Sequence, residues 1–199
     1  MNLPNKITTF RLILTFIFLF LLWVQFPLSL FAAWIVFVVA AVTDVYDGML
    51  ARRYGIVTDY GKLMDPVADK VIICAAFISF VQLKVTHVPA WMVVVIISRE
   101  FIITSLRLLA LSKGQVLAAG RWGKHKTVSQ VASIIIILSF LAAKDIASYL
   151  GIGNEFNKLF ETYFVNFVYW LMLLTVFLTV ASGLYYLYEN KGLFWEGKR

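Results

Sequence analysis

Six long runs of apolar residues, separated by short polar or proline-containing links, lie near 7–25, 30–52, 65–83, 88–112, 127–146 and 164–188. Each is long enough for a helix to cross the hydrocarbon core of a bilayer, which takes roughly 20 residues. Pro4, Pro27, Pro66 and Pro89 fall at or near the start of a run or in a link, where a missing N–H does least harm. Residues 147–163 carry Gly151, Gly153, Asn154 and Asn157 and are expected to form an outer loop, with room for an interfacial turn. No internal repeat or low-complexity stretch breaks the pattern. The expectation is one domain, residues 1–199, folded as an all-α integral membrane protein: a bundle of six transmembrane helices.

The polar residues between the runs set an orientation. Six spans put both termini on one side, and that side with the links near 53–64 and 113–126 carries twelve Lys and Arg, against three (Lys84, Lys144 and Lys158) on the other. By the positive-inside rule the termini and the richer links are expected in the cytoplasm, with the chain in the plasma (inner) membrane. Hydrophobic residues make up 61% of the chain, well above the roughly 45–50% of soluble domains. The formal charge of +7 needs no nucleic acid, because anionic headgroups suffice. Cys74 is the single cysteine, so no internal disulfide forms, and it is expected to pack in an apolar run. The first run is too long for a signal-peptide core and has no small-residue processing site, so no cleavage is expected. His87 and His125 read as surface residues, and Trp170, Tyr185, Tyr186 and Tyr188 as interfacial aromatic belts of the sixth helix, with Trp195 a further anchor in the tail.

Against this background the acidic residues stand out. Asp44, Asp47, Gly48, Ala51 and Arg52 fall at i, i+3, i+4, i+7 and i+8, one stripe of a helix; Asp65 and Asp69 share a face at i, i+4. An acid deep in a hydrocarbon segment costs roughly 2.5–3.5 kcal/mol on insertion scales, so four together call for a cation. Pairing with Arg52, Lys62 and Lys70 is the simpler account of any one of them, but it does not require the regular spacing of the set. Carboxylates without His or Cys suit hard, oxygen-seeking ions such as Mg²⁺ or Mn²⁺. Two such ions can clamp a diphosphate for in-line attack, and Gly48 and Ala51 lack the bulk that would keep a ligand from the backbone. The residue chemistry points to metal-dependent work on a phosphate ester at a membrane surface.

Asp44-x-x-Asp47-Gly48-x-x-Ala51-Arg52, eight residues, then Gly61-x-x-x-Asp65-x-x-x-Asp69 resembles the signature of the CDP-alcohol phosphatidyltransferases at every defined position. The resemblance implies an enzyme that transfers the phosphatidyl group of a CDP-activated lipid, with Asp44, Asp47, Asp65 and Asp69 holding two divalent ions. It implies Asp69 as the general base, Gly48, Ala51, Arg52 and Gly61 around the CDP-lipid, a helical membrane fold, and a homodimer. Pro4-Asn5-x-x-Thr8-x-x-Arg11 resembles the nucleotide-contacting segment of the same family, which would bring Asn5, Thr8 and Arg11 to the donor's phosphates; read without the resemblance, it is a polar helix cap with a snorkelling Arg.

The fourth run holds Arg99, Glu100 and Arg107, and Gly123-Lys124-x-Lys126-Thr127-x-x-Gln130 opens the fifth. An Arg–Glu pair locking helices, and ordinary positive-inside bias, are the plain readings. Basic groups converging on a helix N-terminus also make an anion pocket. The two segments are similar to those of family members that use glycerol 3-phosphate, which implies Arg99, Arg107, Lys124, Lys126, Thr127 and Gln130 as acceptor-phosphate residues and sn-glycerol 3-phosphate as acceptor, giving phosphatidylglycerophosphate and CMP in phospholipid biosynthesis. A serine or phosphatidylglycerol acceptor would not need that many cations, whereas inositol phosphate would fit as well by charge. A cation transporter would place its carboxylates near the midplane on broken helices rather than at one face beside basic residues.

Overall fold

The structure is a computed structural model. It describes the backbone of residues 3–24, 26–54, 59–112 and 121–191, and the side chains within 9–24, 26–43, 70–110, 126–152 and 163–191. Among these residues there are six α-helices and no strand: α1 (Leu3–Trp23), α2 (Ser29–Tyr54), α3 (Asp59–Gln82), α4 (Ala90–Ser112), α5 (Arg121–Tyr149) and α6 (Gly153–Glu189), with a 3₁₀ turn at Lys84–Thr86.

Each helix contains one of the apolar runs and extends beyond it. Hydropathy marks the part of a helix that is oily, whereas backbone hydrogen bonding continues into polar ends. The largest difference is at 147–163, where the expected loop reduces to a turn at residues 150–152. Gly151, at φ +73°, supplies the left-handed residue there, and Ile152 N–H donates to the Ala147 carbonyl at 3.1 Å. From Gly153 the chain is helical, because Phe156, Leu159, Phe160, Tyr163 and Phe164 recur at helical spacing and outweigh the glycine and asparagines. Pro66, expected near a helix start, lies inside α3, which begins at Asp59.

The helices close into a ring. α1 packs on α2 and α3, α2 on α5, α5 on α6, α6 on α4 and α4 on α3, with α3 also reaching α5. Phe18, Phe37, Phe77, Phe80, Met92, Ile96, Ile137, Leu141 and Met172 fill the interior and are fully buried. Large apolar side chains also cover the outside: Phe16 is 71% exposed and Phe177 67%. An apolar outer surface of this extent matches what a lipid environment requires. Among the described residues, Lys126–Tyr149 and Tyr163–Glu189 are each long and apolar enough to cross a bilayer, while Thr9–Trp23, Ser29–Thr43 and Lys70–Gln82 are shorter apolar segments. Lipid tails are as apolar as leucine, so close packing and interhelical hydrogen bonds hold such a bundle rather than burial from water.

One cross-chain cap fixes the relative direction of α2 and α5. Asp145 Oδ2, near the end of α5, accepts the N–H groups of Leu30 (2.9 Å) and Phe31 (3.4 Å) at the start of α2. A carboxylate there satisfies orphan donors and faces the positive end of the helix dipole. The two helices are therefore antiparallel, and the end of α2 that carries Asp44 and Asp47 lies toward the start of α5. The short links between successive helices extend this alternation around the bundle. The start of α1, end of α2, start of α3, end of α4, start of α5 and end of α6 all gather at one end.

Candidate active site

That end of the bundle is where the sequence places its chemistry. The aspartates at 44, 47, 65 and 69 have helical backbones in α2 and α3. Their side chains, and those of Asn5, Thr8, Gly48, Ala51, Arg52, Gly61 and Lys124, lie outside the described residues. Of the expected donor-side groups, Arg11 is described: only 4% of it is exposed, within the bundle rather than at an interface. Thr15 Oγ1 caps the Arg11 carbonyl one turn later at 2.9 Å.

The basic residues are described in detail, and Glu100 is their centre. Glu100 is 6% exposed, and its Oε1 forms an ion pair with Lys126 Nζ, a second with Arg99 Nη1 at 3.3 Å, and accepts Gln130 Nε2 at 3.4 Å. A buried carboxylate survives among membrane helices only when paired and hydrogen-bonded, and three donors on one oxygen meet that condition. Its main-chain oxygen is engaged as well, by Thr104 Oγ1 at 2.7 Å and Lys70 Nζ at 3.4 Å. Glu100 thus joins α3, α4 and α5 through one residue.

Arg99 reaches the other way. Its Nε donates to the Thr179 carbonyl (3.2 Å) and its Nη2 to Ser182 Oγ (3.0 Å), locking α4 to α6. Gly183 makes room for it, since a Cβ built there would stand 3.1 Å from Arg99 Nε and 3.2 Å from Cγ. Arg107, two turns along the same face, has no ion pair among the described residues; its guanidinium lies 5.8 Å from the centre of the Tyr186 ring. It is the more exposed of the two and the freer to meet an anion.

A polar ladder continues from this centre into the bundle. Lys126, Gln130 and Ser133 on α5 recur at i, i+4 and i+7, and Thr175, Thr179 and Ser182 on α6 do the same. The helices run antiparallel, so the rungs match: Ser133 with Thr175 at 2.6 Å and Gln130 Nε2 with Thr179 Oγ1 at 3.2 Å. Thr127 is exposed, on another face of α5 from Lys126 and Gln130. Tyr186, expected in an interfacial belt, is 7% exposed and turns inward, because it follows Ser182 by one turn on the same stripe; Trp170, Tyr185 and Tyr188 are exposed as a belt requires. The polar stripe of α6 was legible as an i, i+4, i+7 set of hydroxyls in an apolar helix, yet no local motif marked it.

The described side chains at this end thus form a seam of basic residues on α4 and α5 around the buried Glu100, tied to the hydroxyls of α6. Comparison with known proteins bears on its function. A family model described as CDP-alcohol phosphatidyltransferase matches residues 1–181. A CDP-diacylglycerol–glycerol-3-phosphate 3-phosphatidyltransferase of Bacillus subtilis (strain 168) is 37% identical over 98% of this chain and 96% of its own length. Proteins of the same name from Pseudomonas fluorescens (34% identical, over 92% of this chain and 84% of the relative) and Escherichia coli K12 (38%, over 69% and 76%) are also similar.

Proposed function

Because the chain belongs to the CDP-alcohol phosphatidyltransferase family, we propose that it transfers the phosphatidyl group of CDP-diacylglycerol to sn-glycerol 3-phosphate, giving phosphatidylglycerophosphate and CMP. The observation that carries this reading is the likeness, over almost the full length of both chains, to a relative that bears that activity in its name. The basic seam supports a phosphorylated acceptor over a neutral one.

Family members generally depend on a divalent metal. Asp44, Asp47, Asp65 and Asp69 form an all-oxygen anionic donor set on the converging ends of α2 and α3, which fits a hard cation. Two Mg²⁺ or Mn²⁺ ions bound there would neutralise the donor's diphosphate and polarise the phosphorus under attack. Asn5, Thr8, Gly48, Ala51, Arg52 and Gly61 would line the nucleotide, and Arg11, buried at the start of α1, would add a fixed positive charge for its phosphates.

At the other side of the site, Arg107, Lys124 and Lys126 would bind the acceptor's phosphate at the start of α5, where the helix dipole also favours an anion. Glu100 keeps Lys126 in place, and Gln130 braces the pair. Arg99, with its donors on Thr179, Ser182 and Glu100, contributes mainly by anchoring that wall; Thr127 would serve from the exposed face. Asp69 takes the proton from the acceptor hydroxyl, whose oxygen bonds to the phosphatidyl phosphorus as the bond to CMP breaks. The chain would work as a homodimer in the inner membrane, with six spans and with both termini and the site in the cytoplasm, where the soluble acceptor is available.

The test is CMP release from CDP-diacylglycerol with each acceptor in turn. Glycerol 3-phosphate should support turnover; inositol phosphate, serine, phosphatidylglycerol and glycerol should not, and excess EDTA should stop the reaction. Turnover with inositol phosphate alone would replace the acceptor, and full activity in EDTA after exhaustive dialysis would remove the metal from the scheme.

A further inference from the structure

We propose that Lys70 is an acceptor-binding residue, its ammonium group holding the acceptor's phosphate together with Lys126 and Arg107. The inference rests on the functional reading above and adds to it a residue outside the aspartate motif, which ends one position earlier at Asp69. Lys70 Nζ, half-buried at the α3–α4 seam, meets one hydrogen-bond partner among the described residues, the Glu100 main-chain oxygen at 3.4 Å. That distance is long for such a bond, and an ammonium has three donors, so Lys70 keeps capacity for a second ligand.

Among the described residues no hydrogen bond joins Lys70 to the Glu100 carboxylate, whose Oε1 is shared by Lys126, Arg99 and Gln130. Lys70 lies within electrostatic range of Arg99 and Arg107 as well as Glu100. Among these described residues, four positive side chains (Lys70, Arg99, Arg107, Lys126) face one negative, a formal excess of +3. These side chains converge from α3, α4 and α5, and a phosphate dianion complements their charge. The position also suits the reaction. Lys70 follows Asp69 on α3, so a phosphate held on Lys70 keeps the acceptor beside the turn of helix that carries the base.

A free phosphorylated acceptor and the phosphate of a lipid headgroup share this chemistry. The full-length protein in neutral phosphatidylcholine vesicles, with and without added anionic lipid, separates them. For Lys70→Met, the KM for glycerol 3-phosphate and the inhibition constant of inorganic phosphate should both rise about ten- to a hundredfold, the loss of one or so charge-assisted hydrogen bonds. The KM for CDP-diacylglycerol and the divalent-ion requirement should stay within about twofold, and Lys70→Arg should recover most of the loss. Lys70→Gln carries the same comparison if the Met variant does not fold. A rise in the CDP-diacylglycerol KM or in the metal requirement, with phosphate inhibition unmoved, would overturn the assignment and make Lys70 a partner of the aspartates. An effect confined to vesicles with anionic lipid would overturn it in favour of a headgroup. Inhibition by inorganic phosphate reads Lys70 whichever phosphorylated acceptor is used, so failure of this assignment and failure of the acceptor named above give different results.

Discussion

Along α2 and α3 the chemistry-bearing residues are neighbours in the chain: Asp44 to Arg52 lie on one stripe of a helix, and Asp65 and Asp69 on one face of the next. Along α4, α5 and α6 they are assembled from far apart: Glu100 meets Gln130 across 30 positions, and Arg99 meets Ser182 across 83. The first region can be specified by helical period alone. The second exists only once three helices pack in a particular register. Substitutions should differ accordingly: in the acidic region they should remove chemistry and spare the fold, while in the basic seam chemistry and stability are entangled.

Asp69→Asn should show the largest effect. Loss of a general base is worth roughly 10²–10⁴ in rate, and loss of a metal ligand would deepen it. Turnover in the purified variant should fall by at least that range, with CDP-lipid binding still measurable; near-normal turnover would break the assignment of the acidic region as the chemical half.

Glu100→Gln probes the other extreme. It leaves Arg99 and Lys126 without their shared carboxylate, and breaking a buried pair from one side costs about 3–5 kcal/mol. The detergent-solubilised variant should unfold at markedly lower temperature or denaturant, and inorganic phosphate should restore more stability to it than to the wild type. An unchanged unfolding midpoint would mean that Glu100 does not hold the seam together.

Arg107→Ala separates binding from architecture within the seam. Among the described residues Arg107 makes no ion pair and packs on the Tyr186 ring, so truncation should cost little stability. The KM for glycerol 3-phosphate should rise by about one to two orders of magnitude, from roughly 1.5–3 kcal/mol of charged hydrogen bonding, while the KM for CDP-diacylglycerol moves much less. The reverse pattern would assign this arginine to the donor.

The smallest effect belongs to the ladder below. Ser133→Ala removes the 2.6 Å bond to Thr175, and interhelical bonds of this kind average about 0.6 kcal/mol in membranes. A small loss of stability with unaltered kinetics is expected; a change in KM would extend the site deeper into the bundle.

What the sequence determined by itself was whatever depends on short-range order. Apolar length placed the six helices, and the spacing of Asp44, Asp47, Asp65 and Asp69 carried the family resemblance, because a helix turns by the same angle wherever it sits. Helix ends were less legible, as at 153–163, because hydropathy reports immersion and not backbone hydrogen bonding. The partners of the intramembrane charges were decided by tertiary structure. Arg99 and Arg107 are the same residue type on the same helix, yet one is hydrogen-bonded to α6 and the other lies against the Tyr186 ring. Tyr186 turned inward where Tyr185 and Tyr188 face out, and the hydroxyls of α6 met their counterparts on α5. Such pairings depend on the rotation and depth of one helix against another, which packing sets and no local run of residues encodes.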